Sequence, residues 1–248
     1  MKKTLIALMA LAGIASAETY TPLTETEGWS AAAGRDRGYW TQDATAGTLT
    51  LTNSNWGQAT ATYTFEEALS GTWEFSTQVY RTSGNAAFAF TLVGNNYAVS
   101  IGTLEYTSGT AYYGTTDNVT AKHYSFKEVW DNGGTKVDGT EFVAGAFNTN
   151  HTATISGFTT LDADNNVLLT LNVTGTAPDL TPGTTTINLG KDFKLSKIDI
   201  SGDGPNNHAN IWTVSNMSVT TTETVPEPAT ATLSLLALAG LAARRRRR

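Results

Sequence analysis

The acidic residues are the first place to look for chemistry, and their spacing argues against paired-carboxylate catalysis. A retaining glycan hydrolase needs two carboxyl groups about 5 to 5.5 Å apart, which a strand supplies by carrying them at alternate positions, as in Glu-x-Asp-x-x-Glu. The Glu-x-Asp-x-x-Glu pattern does not occur. Glu66 and Glu67 are adjacent, so on an extended chain they would face opposite ways, and a turn is expected there. Glu74 and Glu141 stand alone. Asp162, Asp164 and Asn166 imitate the first half of a calcium loop, yet Val167 falls where that loop needs glycine and no glutamate closes it. A polar hairpin turn is the expected reading of that segment. Asp199, Asp203 and Asn206, close to Gly202 and Gly204, are oxygen donors of the kind a surface calcium takes, and no other cofactor is expected.

His123, His151 and His208 are far apart and the chain has no cysteine, so no zinc-type ligand set is in view. No serine sits in a Gly-x-Ser-x-Gly elbow and no phosphate-binding glycine motif occurs. The expectation is therefore a protein without catalytic residues. The tryptophans are the remaining handle. Trp73 and Trp212 alternate with apolar residues and belong in a core, whereas Trp29, Trp40, Trp56 and Trp130 border polar, glycine-rich stretches. Those four either fill the ends of the fold or present faces on which a sugar ring stacks.

The elements that would position these residues show a period of two. Trp73, Phe75, Thr77 and Val79 fall on one face of a strand, with Glu74, Ser76 and Gln78 on the other. The same alternation predicts strands at Leu49 to Leu51, Phe88 to Leu92 and Tyr97 to Ile101. It recurs at His151 to Ser156, Val167 to Val173, Leu195 to Ser201 and Ile211 to Thr220. Turn-forming runs such as Ser83-Gly84-Asn85 and Asp162 to Asn166 separate them. Val119 to Trp130 is the one interior stretch where a short helix competes with a strand. Regular antiparallel strands over some two hundred residues mean two packed sheets in one domain, 18–223.

Charge narrows the partners. Of 16 Lys and Arg residues, two lie at the start and five at the very end, leaving nine against 22 acids in between. An acidic middle cannot neutralise phosphates, which excludes nucleic acid as an expected partner.

The two ends read as addresses. Lys2 and Lys3 precede an apolar run to Ile14, and Ala15-Ser16-Ala17 offers the small residues that a signal peptidase accepts, with cleavage expected after Ala17. Residues 1–17 are thus expected as a signal helix. At the other end Val225-Pro226-Glu227-Pro228 leads into an apolar stretch, Ala229 to Ala243, and then Arg244, Arg245, Arg246, Arg247 and Arg248. The prolines hold an extended grip for an enzyme, the apolar stretch is expected as a hydrophobic transmembrane helix, and the arginines form a basic stop on the cytoplasmic side. Its 15 residues give a helix of about 22 Å, short of a hydrocarbon core of about 30 Å, as suits a transient inner-membrane anchor.

This tail, 224–248, resembles the PEP-CTERM sorting signal: a Pro-Glu-Pro motif, a transmembrane segment and a terminal arginine cluster. The resemblance implies that Pro226, Glu227 and Pro228 are recognised by an exosortase-like processing enzyme of Gram-negative bacteria that make extracellular polysaccharide. The strand pattern, above all Gly71 to Tyr80, Ala86 to Leu92 and Ile211 to Val219, is similar to the concanavalin A-like or laminin-G-like jelly roll. The expected whole is an all-β, two-sheet antiparallel sandwich flanked by the two helices, exported to the cell surface and binding carbohydrate or an envelope component. A secreted glycan-active enzyme with a non-standard site, or a purely structural coat protein, are the alternatives.

Overall fold

Alternating apolar and polar residues make a chain that can hide one face of a strand, as Thr152–Leu161 and Asn166–Gly175 do. A computed structural model describes residues 17–31, 38–53, 58–83, 87–102, 120–127, 143–146, 150–176, 182–203 and 210–222. The strands are β1 (Thr19–Tyr20), β2 (Trp29–Ala31), β3 (Gly38–Asp43), β4 (Thr48–Asn53), β5 (Gln58–Leu69), β6 (Trp73–Ser83), β7 (Ala87–Gly94), β8 (Tyr97–Gly102), β9 (Thr120–Lys127), β10 (Val143–Ala146), β11 (Thr152–Leu161), β12 (Asn166–Gly175), β13 (Gly183–Lys191), β14 (Leu195–Asp203) and β15 (Asn210–Thr221). One short 3-10 turn, Pro22–Thr24, stands beside them. The predicted strands are all present.

They form two sheets. One has the order β13-β12-β11-β6-β15-β4-β3, with β1 added against the end of β15; the other runs β10-β9-β8-β7-β14-β5-β2. The inward faces meet through aromatic rings. Phe75 of the eight-stranded sheet stacks on Phe90 of the seven-stranded one at 5.5 Å, and Trp212 packs on Phe88 at 5.0 Å. Trp73 and Trp212 are fully buried, as their place in the pattern requires. Burying a large ring is worth a few kcal/mol, so these contacts are a main tie between the layers.

Two local expectations are corrected. The seven-stranded sheet is not wholly antiparallel, because β8–β9 and β9–β10 pair parallel at one edge. Residues 103–119 and 128–142 connect those strands, long enough to bring the chain back to the end it left, whereas a tight turn would force antiparallel pairing. Glu66 and Glu67 lie not in a turn but in β5, where the register slips between Leu69 opposite Leu195 and Thr64 opposite Lys197. That bulge lets both carboxylates reach solvent from an extended chain. Within Val119 to Trp130 the described part, Thr120–Lys127, is strand rather than helix.

The segment from Asp162 to Asn166 is a hairpin turn between β11 and β12, as expected. The Asp162 carboxylate accepts from the amides of Asp164 and Asn166 at 2.9 and 2.8 Å and from Asn166 Nδ2 at 2.8 Å. Those donors, led by the Asn166 side chain, hold it below the usual carboxylate range. The expected signal helix, through residue 16, and the expected C-terminal helix lie outside the described residues. Among the described residues no helix is long and apolar enough to cross a membrane.

Candidate functional site

The two outward faces of the sandwich differ. On the seven-stranded sheet the outward side is shielded: Thr60, Thr62, Thr91, Ser100, Asp199 and Ser201 are all buried. Register sets Thr62 beside Asp199, Asp199 beside Thr91 and Thr91 beside Ser100, and His123 of β9 takes the next position after Ser100. The row satisfies itself. Thr62 Oγ1 donates to Asp199 Oδ1 at 2.6 Å, the Thr60 and Ser201 hydroxyls pair at 3.0 Å, and Thr91 Oγ1 donates to Ser100 Oγ at 3.2 Å. Asp199 is 4 % exposed, so the sequence-based expectation that it serves a surface calcium does not match its position. Desolvation pushes its carboxyl above the usual range, against the Thr62 hydrogen bond and the Lys197 charge.

The eight-stranded sheet presents the opposite character. Its outward positions stand in open rows across five strands: Ser218, Ser76, Ser156, Asn172 and Thr184 in one, and Thr220, Glu74, Phe158, Thr170 and Thr186 in the next. Between the rows lies a groove of about 280 Å³ lined by Glu74, Ser76, Ser156, Phe158, Asn172 and Ser218, with the backbone of Gly157 within it. At roughly 30 Å³ per water this is about nine waters' room, enough for one sugar ring with its hydroxyls.

Phe158 is the unusual member, 44 % exposed on a face of short polar side chains. Its position follows from Gly157. On β11 the inward residues are Ala153 and Ile155, and Gly157 takes the next inward place because Phe75 lies across it: an added Cβ would come within 2.7 Å of the Phe75 ring. Phe158 therefore projects outward. An aromatic face beside a carboxylate, an amide and hydroxyls is a set that can stack on a pyranose and bond its hydroxyls. Sequence reasoning had Glu74 as a lone carboxylate and missed the rest. The signal was there, since Phe158 is an aromatic out of phase with the apolar positions of its strand.

The tryptophans behave differently from this groove. Trp29 and Trp40 are half-buried and pack against the core, with ring centroids 6.1 Å apart, and Trp29 also meets Tyr63 at 5.4 Å. Trp29 Nε1 donates to Pro22 O at 2.8 Å, which uses the ring's only donor. Trp56 and Trp130 lie outside the described residues, as do Asn206 and His208. Among the described residues no group of three or more His, Asp and Glu is arranged to hold a metal.

The tail decides the comparison with known families, matching the description "PEP-CTERM protein-sorting motif" over its last 25 residues. Residues 224–248 are a PEP-CTERM sorting motif. The sorting motif contains Pro226, Glu227, Pro228 and Arg244 to Arg248, and like Ala15 these lie outside the described residues; Ala17 is exposed at the start of the described chain. No curated protein matches the sequence. Among solved structures, peanut lectin with a bound 9mer peptide is 14 % identical over 84 % of this chain and 97 % of its own, with a TM-score of 0.48. A seed lectin of Lotus tetragonolobus is also 14 % identical, over 85 % of this chain and 100 % of its own, with a TM-score of 0.48. A PL-14 alginate lyase from Aplysia kurodai is 11 % identical over 71 % of this chain and 83 % of its own, at 0.41.

Proposed function

We propose that the chain is an exported cell-surface or extracellular-matrix protein whose sandwich binds carbohydrate without transforming it. The PEP-CTERM motif supports the route: signal peptidase at Ala17, transient holding in the inner membrane of a Gram-negative cell by Ala229 to Ala243, and processing at Pro226-Glu227-Pro228 by an exosortase-like enzyme. The observation that carries the binding reading is Phe158, exposed in the groove beside Glu74, Asn172 and three serines. Among the described residues the groove holds one carboxylate, whereas glycoside hydrolysis uses two, so binding is favoured over turnover.

A glycan array and polysaccharide pull-down with the purified protein test this. Binding to at least one polysaccharide, weakened about tenfold by Phe158→Ala, is the expected result. No binding to any polysaccharide overturns the reading, and release of reducing sugar that stops in Glu74→Gln replaces it with an enzyme.

A further inference from the structure

We infer that the outward face of the eight-stranded sheet takes a linear, uncharged polysaccharide laid across the strands, with the Phe158 groove as its central subsite. This rests on the carbohydrate reading above and adds the class of ligand and its direction.

The direction comes from the register. Each row crosses β15, β6, β11, β12 and β13 without a slip at the positions concerned, so its side chains repeat at the strand spacing of about 4.8 Å and together span about 19 Å. The groove takes in four of the five strands, from Ser218 on β15 through Glu74 and Ser76 on β6 and Ser156 and Phe158 on β11 to Asn172 on β12, and leaves β13 outside it. Thr170 and Thr186 continue one row toward the β13 edge, and Thr184 continues the other beyond Asn172. A single ring would leave the β13 extension unused. A chain of rings lying along the rows meets a hydroxyl or amide at each strand.

Availability of donors separates the Ser218-to-Asn172 row from the buried row on the opposite sheet. There the hydroxyls are spent on Asp199 and on one another. Here no hydrogen bond among the described residues engages the side chains of Ser76, Ser156 or Ser218, and Asn172 uses only its Oδ1, accepting from Thr184 Oγ1 at 2.7 Å. Its Nδ2 stays free to donate to a ligand oxygen.

Charge selects the class. The outward positions are Glu74, Ser76, Gln78 and Tyr80 on β6, with Thr152, Thr154, Ser156, Phe158 and Thr160 on β11. Asn166, Leu168, Thr170, Asn172 and Thr174 follow on β12, Thr184, Thr186, Asn188 and Lys191 on β13, and Thr213, Ser215, Ser218 and Thr220 on β15. Within the two rows Glu74 is the one charged residue, and Lys191, the cation among these positions, stands at the turn end of β13 opposite Asn166. A polyuronate or sulfated chain laid along the rows would bring its anions to Glu74 with no counter-charge in either row, while a neutral chain meets only hydrogen-bonding groups and one aromatic face.

Calorimetry on the purified protein with a length series of neutral oligosaccharides, from monosaccharide upward, and with one polyuronate tests the inference. Affinity is expected to rise with length until the chain spans the row. Phe158→Ala should weaken every length about tenfold, and Thr184→Arg, at the exposed β13 edge, should weaken the long chains by a similar factor and the monosaccharide by less, through the lost bond to Asn172. Equal affinity for one ring and many, with Thr184→Arg silent, overturns the inference and leaves carbohydrate binding intact. Tighter binding of the polyuronate overturns the charge argument. No binding of any glycan removes both readings, and self-association abolished by Thr184→Arg in sedimentation would give the face to a second copy of the chain.

Discussion

A carboxyl set between threonines on a strand has few ways to be satisfied once water is removed, and Asp199 shows the result. Thr62 supplies one hydrogen bond, Lys197 a distant favourable charge, and desolvation still raises its proton affinity. A carboxyl raised in the folded state binds its proton more tightly there than in the unfolded chain. Its stabilising contribution is complete below the unfolded carboxylate pKa of about 4 and is lost as pH rises through the higher folded value. Asp199→Asn keeps an acceptor for Thr62 and removes the charge. Thermal melts across pH 4 to 8 should therefore show the parent losing stability relative to Asp199→Asn as the pH rises, and parallel curves would mean that the carboxyl titrates as if in water. The sequence offered Asp199 as a calcium donor because its neighbours are glycines and polar residues. Thr60, Thr62, Thr91 and Ser100 alternate like a solvent face, and nothing in residue type announces that such a face is covered.

Within the elements, alternation was enough to read the strands. Tyr97 to Ile101 and Val167 to Val173 each carry a two-residue period, and Ile211 to Val219 carries it in two phases on either side of a bulge at Asn216. Pairing was less legible. Parallel β8–β9 depends on where the chain goes between the strands, and the bulge in β5 depends on the partner β14, so neither is written in the local pattern. Gly157 is the clearest case of a residue whose role is set across strands. Its missing side chain makes room for the Phe75 ring, and a Cβ there would also come within 2.7 Å of the Thr170 carbonyl oxygen. Gly157→Val should cost about 1–3 kcal/mol in chemical denaturation through overpacking at Phe75. A neutral result would mean that Phe75 moves aside without loss. The groove shares this origin, since it needs Gly157 inward and Phe158 outward on one strand with Glu74 and Thr170 in register beside it.

For the molecule as a whole, composition and the ends carry the larger message. An acidic, cysteine-free body with a PEP-CTERM motif is one meant to be moved and then processed. Glu227→Ala should leave the full-length chain at the inner membrane, read by fractionation and by mass spectrometry of the C-terminal peptide; processing like the parent would remove the motif's proposed role. The domain also ties its own two ends together. The Glu18 amide donates to Thr221 Oγ1 at 2.9 Å, the Thr221 amide returns to Glu18 O at 2.9 Å, and Thr19 lies beside Thr220. The strand from which the tail continues, β15, is clasped by β6 along one side and by β4 and β1 along the other. Tension arriving through the tail would run lengthwise into a strand held on both flanks. It would meet the ladder bonds in shear, many at a time, instead of peeling them one by one.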